Sequence, residues 1–250
     1  MRIVLCVTVF VSLAFGSRAQ AGNKDFSAQF NQCEEFVGVG YVSATRAREL
    51  VPRQYALAGD STTALLVVRI VSCSDASVDG KKGGAVRTAQ IGVMLDVPGS
   101  EASIDNYMLW FATNSGDLHG KMQAAGAKTS NTQQISYAWQ SSSGKGGPLP
   151  IDVTAASFPT LSLRGNAQPS DGSPQRFTAN WYANGQHGQL LMHTDFPVLR
   201  FGNAALVLNV PAGSELAQLI GATSMSFGPE HGPMNSHNSW SAAEMQATVQ

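Results

Sequence analysis

Charge is scarce in this 250-residue chain: Asp, Glu, Lys and Arg together make up 13% of it. With 16 Lys+Arg against 17 Asp+Glu the net charge is −1. There is no basic run to grip a phosphate backbone or an anionic bilayer, so neither nucleic acid nor a membrane surface is expected as a partner. The shortage of charge also argues against long, salt-bridged helices. A chain rich instead in Gly, Ser, Thr, Asn and Gln is expected to build β-structure with polar loops. Several motifs are missing too. No Gly-x-Ser-x-Gly elbow, Walker A loop or strand-linked Gly-x-Gly-x-x-Gly occurs, so hydrolase, phosphoryl-transfer and nicotinamide chemistry are not expected and no cofactor is implied. No Asn-x-Ser/Thr sequon occurs, and no feature fixes an oligomeric state.

What is present is most legible at the N-terminus. Arg2 precedes an apolar run, Ile3 to Phe15, broken only by Thr8 and Ser12, and Ala19-Gln20-Ala21 follows. A positive end, an apolar stretch too short to span a bilayer and a small-residue site together predict a secretory signal peptide, residues 1–21, cleaved after Ala21. The mature chain, 22–250, is expected to be secreted or periplasmic. It has no second apolar run of membrane length and suits one β-rich domain. Of three cysteines, Cys6 leaves with the leader. Cys33 and Cys73 remain as an even pair in an oxidising compartment, which predicts a disulfide. In the chain-entropy treatment a loop of that length is worth about 4 kcal/mol.

Strand-like segments recur between turn signals. Phe36 to Val42 alternates apolar residues with glycine, and Ala64 to Val71 is a β-branched run. Val86 to Val97 and Tyr107 to Ala112 follow, with Asp79-Gly80 as a hairpin turn ahead of them. Later candidates are 134–139, 157–163, 177–182, 189–196, 199–201 and 204–210, which are expected to close the sheet. Short helices are predicted at Ala44–Leu50, Gly116–Ala125 and Ser214–Ile220, the last two stopped by Gly126 and Gly221. Flexible connections are expected near 141–150 and 166–175. The fold class is α+β, mostly antiparallel β, with a strongly curved or closed barrel.

One order of parts is familiar. Phe36-Val-Gly-Val-Gly-Tyr-Val42 leads through a short helix into Leu50-Val-Pro52, then the strands Leu65–Arg69 and Thr88–Met94. Tyr107–Thr113 and a helix ending near Gly126-Ala-Lys128 complete it. This stretch, Phe36 to Lys128, resembles the acetoacetate decarboxylase-like family, in which a helix closes on a Gly-x-Pro-Lys-Lys turn. The resemblance implies that family's curved barrel and, for Lys128, the place of the lysine that forms a Schiff base with a β-keto acid. Such a lysine needs a neighbouring cation or an apolar pocket to lose its proton. With the sequence laid without gaps from Gly120, Lys128 takes the first lysine position, Thr129 the second and Ala127 the proline; laid from Gly126, Thr129 and Ser130 hold the lysine positions and the nucleophile is gone. The strand Arg87–Val97 carries no glutamate, only Asp96 at its end. A barrel kept without its chemistry, binding a small organic molecule, is therefore the leading expectation. An active lysine lyase using Lys128 is the alternative. The ligand-pocket candidates are Trp110, Gln90 and Tyr107.

Histidines offer a third reading. His193 and Asp195 are expected to share one strand face. Glu230, His231 and His237 form the densest set of ligand types, in a stretch whose Gly, Pro and Asn content predicts a loop; they are weak candidates for a metal or a partner. Trp110, Tyr137, Trp139, Trp181, Tyr182 and Phe196 all fall on predicted strands, as core or as the wall of an apolar pocket.

Overall fold

A computed structural model describes residues 24–141, 145–228 and 230–250; the leader predicted at 1–21 lies outside them. In chain order its elements are β1 (Phe26–Ser43), α1 (Ala44–Leu50), β2 (Ala56–Leu57), β3 (Thr63–Val78), β4 (Lys81–Asp96), β5 (Ile104–Thr113), α2 (Gly116–Ala124), β6 (Ser130–Asn131), β7 (Ile135–Tyr137) and β8 (Gly147–Pro148). There follow β9 (Ile151–Ala155), β10 (Phe158–Ala167), β11 (Gln175–Gly185), β12 (Gly188–Arg200), β13 (Ala204–Asn209), α3 (Glu215–Ile220), β14 (Ser224–Ser226) and β15 (Met234–Val249).

Seven strands, in the order β4-β3-β1-β15-β12-β11-β5, close into a barrel when β5 pairs back onto β4. All these pairings are antiparallel except β5 with β11. A second sheet, β14-β13-β10-β9-β7 with β8 on β10, covers part of the outer wall. The region from Gln134 onward thus divides its strands. Only β11, β12 and β15 complete the barrel, while 135–167 and 204–226 build the cover.

Local chemistry explains the front half. The β3–β4 hairpin turns on Asp79 and Gly80, both at positive φ (48° and 76°), the conformation that a two-residue hairpin with right-handed twist requires. Glycines in β1 serve contact. A Cβ on Gly38 would lie 2.7 Å from the Phe227 ring and one on Gly40 2.7 Å from the Met225 sulfur, so their absence lets the cover lie flat on the barrel. Phe36, Leu66, Ile70 and Ile91 face Ile151, Leu163 and Leu208 across this seam. A separate core fills the barrel. At one end Leu118 and Met122 of α2, with Ala125 at its C-terminal cap, plug it, and Lys121 and Lys81 tie α2 to the hairpin through Asp79 and Asp117.

One row of residues sets which side chains face inward. Inward positions on β1 run Phe26, Ala28, Phe30 and then Cys33, Glu35, Val37, a step of three in place of two. The same extra residue appears between Cys73 and Ala76 on β3, Phe196 and Leu199 on β12, and Trp240 and Ala243 on β15. The pairing registers place Ser74, Gln32, Ser241 and Val198 opposite one another, and all four are exposed. Since each of these strands gains its residue at one level, the same register resumes beyond the row while the pleat reverses phase. This bends the sheet as bulges do when a barrel closes. Directly beside the row, Cys33 and Cys73 are paired neighbours on β1 and β3 and form the predicted disulfide.

The stretch Glu230–His237 is only partly a loop. β15 begins at Met234 and buries His237 (1% exposed). The connection after β10 is tied down by Gln168 N–H to the Asn203 carbonyl and by the Ser170 hydroxyl to the His237 carbonyl. Among the described residues no helix is long and apolar enough to cross a membrane.

Two outcomes follow. Replacing Cys33 and Cys73 together by alanine should cost about 2–5 kcal/mol, read as a lower urea midpoint; a cost under about 1 kcal/mol would show that the bent row holds without it. Asp79 is held below the usual carboxylate range by the Lys121 ammonium first and by the Ser27 N–H. Its tie to α2 therefore contributes above the unfolded value, about pH 4, and fades as pH falls through the lower folded value. Amide exchange in α2 should accelerate on acidification into that window, and Asp79→Asn should remove this dependence.

Candidate functional site

The barrel interior holds a charged pair where an apolar core would be the simple solution. Glu35 on β1 and Arg69 on β3 point inward from adjacent strands, with Arg69 Nε donating to Glu35 Oε2 at 2.6 Å. Their side chains are 4% and 16% exposed. Arg69 Nη1 donates to Gln90 Oε1 at 2.5 Å from β4, and Asn238 Nδ2 of β15 donates to Glu35 Oε1 at 3.0 Å. The guanidinium lies 5.6 Å from the Phe196 ring centre and 5.7 Å from that of Trp240. Removing one member of such a buried pair strands the other charge, at a cost of about 3–5 kcal/mol.

This pair divides the interior. Toward α2 the space between Phe30, Phe111, Leu118, Met192 and Met245 is nearly filled, about 20 Å³ remaining. Toward the other end a cavity of about 160 Å³ is walled by Val37, Val39, Val67, Trp181, Phe196 and Leu199, with Glu35, Arg69 and Asn238 at its floor. Its rim is Met94, Ile104, Phe177, Phe201 and Met234, all half-buried, and Pro233, exposed. Trp181 fits because Gly92 opposite it has no side chain; a Cβ there would come 2.7 Å from the indole.

The sequence-derived residues separate between two places. Gln90 is in the interior, bonded to Arg69. Tyr107 and Trp110 lie on the outer side of β5, where they share a surface groove of about 270 Å³ with Lys128, Asn184 and Glu215. Lys128 is exposed, and the charged group beside it in that groove is an acid. Tyr107 packs against Tyr55 at 5.0 Å, and burial raises both hydroxyls above their ordinary value. The nearby Tyr182 is pushed up to about 12 by burial and by Asp105, to which it donates at 3.1 Å. β4 brings no carboxylate inward, and Asp96 is exposed at its end.

The histidines are not gathered. His193 and Asp195 share the outer face of β12 but have different partners, Asn180 at 2.8 Å and Arg176 at 2.8 Å. His237 Nδ1 lies 2.8 Å from the Gln168 carbonyl, and its ring packs against Trp139 and Tyr137. Burial, then Glu34 and Glu35, hold the Tyr137 hydroxyl well above its usual value. His231 and Glu230 are exposed. Among the described residues no group of three or more His, Cys, Asp and Glu side chains is placed to share an ion.

Glu35, Arg69 and Asn238 were missed by sequence reasoning. The available signal was Arg69 inside a β-branched run: an arginine flanked by Val68 and Ile70 on a central strand needs a partner charge.

No protein-family description matches the chain, and no curated protein does. Solved structures do. A structure of acetoacetate decarboxylase superposes with TM-score 0.58 at 10% identity, covering 89% of this chain and 88% of that one. The acetoacetate decarboxylase from Legionella pneumophila subsp. pneumophila str. Philadelphia 1 gives 0.54 at 9% identity, with 89% and 85% covered. The enduracididine biosynthesis enzyme MppR, complexed with the condensation product of pyruvate and imidazole 4-carboxaldehyde, gives 0.53 at 12%, with 98% and 97% covered. The barrel, its cover and its plugging helix together are the acetoacetate decarboxylase-like fold.

Proposed function

We propose that this protein is an exported receptor for a small organic molecule, held in the barrel without lysine-imine chemistry. The observation that carries this reading is the 160 Å³ cavity in the barrel, on the side of the ion pair away from α2, where Arg69 is the cation at its floor. Among the described residues no lysine lines either interior space; Lys24, Lys81, Lys82, Lys121, Lys128 and Lys145 all lie elsewhere. An arginine stays protonated and offers no lone pair for attack on a carbonyl. The space is the size that admits a benzene-scale molecule, and its mostly apolar lining with a few fixed polar groups suits a small ligand. MppR, of the same fold, holds a small organic product. The disulfide accords with an oxidising compartment, and export to the periplasm or beyond is part of the proposal.

A second reading, a lysine lyase, has one point in its favour: Lys128, Tyr107 and Trp110 share the outer groove. That groove provides no second cation beside the lysine, and solvent reaches it freely.

Borohydride reduction in the presence of acetoacetate distinguishes the two. The receptor reading expects an unchanged protein mass at neutral pH and no carbon dioxide released. A stable adduct mapped to Lys128, lost in Lys128→Ala, would overturn it. In parallel, small aromatic solutes should perturb the fluorescence of Trp181 and Trp240, which flank the cavity and its floor, while Lys128→Ala leaves that response unaltered.

A further inference from the structure

We infer that the cavity selects a neutral ligand whose polar head both donates and accepts a hydrogen bond, a hydroxyl or primary amide on an apolar body, and rejects carboxylates. This rests on the receptor reading above and names the ligand class of the same cavity.

The argument begins with charge. Glu35 and Arg69 are the charged side chains lining the two interior spaces among the described residues, and they are bonded to each other at 2.6 Å. The floor is therefore neutral. A carboxylate entering from the rim would bring a second negative charge beside Glu35, in surroundings that water cannot relax. Burying an unmatched anion next to a like charge is strongly disfavoured.

Hydrogen-bonding capacity then narrows the head group. Arg69 spends Nε on Glu35 and Nη1 on Gln90. Its Nη2 makes no hydrogen bond among the described residues, leaving a charged donor beside the cavity. Asn238 has the opposite need. Its Nδ2 faces Glu35 Oε1, and since a carboxylate can only accept, this fixes the orientation of the amide. Asn238 Oδ1 is then a buried acceptor with no partner, on a residue 1% exposed. A head that accepts from Arg69 and donates to Asn238 answers both groups at once. A hydroxyl or an amide does this. A carboxylate cannot donate, and a plain hydrocarbon does neither, leaving the buried Asn238 acceptor and the Arg69 donor without a partner. The apolar body would lie against Val37, Val39, Val67 and Leu199, toward the aromatic rim.

The test uses the full chain and four probes that share one ring: benzyl alcohol, benzamide, benzoate and toluene, with binding followed by ligand-observed NMR at neutral pH. The alcohol and the amide should bind at least about tenfold more tightly than benzoate, with toluene weaker than the alcohol. Benzoate binding should strengthen as pH falls and the ligand takes up a proton. Glu35→Gln leaves Arg69 unneutralised and should raise benzoate affinity about tenfold over the unsubstituted protein. If that variant does not fold, the four-probe series and its pH dependence still decide. Benzoate binding as tightly as benzyl alcohol at neutral pH, or toluene as tightly as either neutral polar probe, overturns the inference while leaving a receptor in place. Failure of all four to bind overturns the receptor reading and this inference with it.

Discussion

The reversal of pleat phase along Ser74, Gln32, Ser241 and Val198 is the constraint on which the interior depends. A strand sends alternate side chains to opposite faces. Without the extra residue, β1 would turn Phe30, Gln32 and Glu34 inward and Glu35 outward. With it, Phe30 packs on the α2 side of the barrel, and Cys33, Glu35 and Val37 line the other side. Because β3, β12 and β15 reverse at the same level, Arg69, Asn238, Phe196 and Trp240 gather beside Glu35 on the inner face. The bend that closes the barrel and the assembly of the polar floor are one event.

From this follows the chemistry of the lumen. A glutamate and an arginine both facing inward on adjacent strands cannot be left apart, since each alone would be an uncompensated buried charge. They meet, and Gln90 and Asn238 take up two of the remaining bonding positions. Phe196 and Trp240 give the guanidinium aromatic neighbours, whose rings attract a cation. The result is a rigid partition with packed side chains toward α2 and space toward the rim. The cavity thus has its depth set by the ion pair and its width by Gly92, which leaves room for Trp181.

The front half was legible because its elements carry local signals. A β-branched run gives β3, Asp79-Gly80 gives the hairpin, and Gly126, at positive φ, stops the helix α2. The order of those parts was enough to suggest the barrel. β15 was illegible for a physical reason. Asn235, Ser236, His237, Asn238 and Ser239 look like solvent-facing loop residues, yet the side chains of Asn235, Ser236, His237 and Asn238 bond inside the protein to the Leu206, Val37 and Gln168 carbonyls and to Glu35. Its apolar positions also change phase at Ser241-Ala242, so no simple alternation is visible. The candidate site suffered likewise. Glu34-Glu35 reads as a charged strand end, and only the phase reversal tells which of the two is buried. Gln90 was placed on its strand, but its role depends on Arg69, which lies on a different strand.

The position of Lys128 shows why pattern and chemistry part company in this fold. A helix followed by Gly126 delivers Lys128 to the outer side of β5, while the cavity is walled by inward positions of β1, β3, β11 and β12. A lysine at that turn would need the turn itself to fold into the lumen, but Gly126 packs against Gly185 and Gln186, with a Cβ only 2.6 Å from the Gln186 nitrogen if one were present. On the receptor reading, the lumen is instead governed by an arginine, which offers no lone pair for attack on a carbonyl. Its useful property is then a fixed donor held by a neutralising acid, which is a means of recognising a polar head group and not of forming a covalent bond to it.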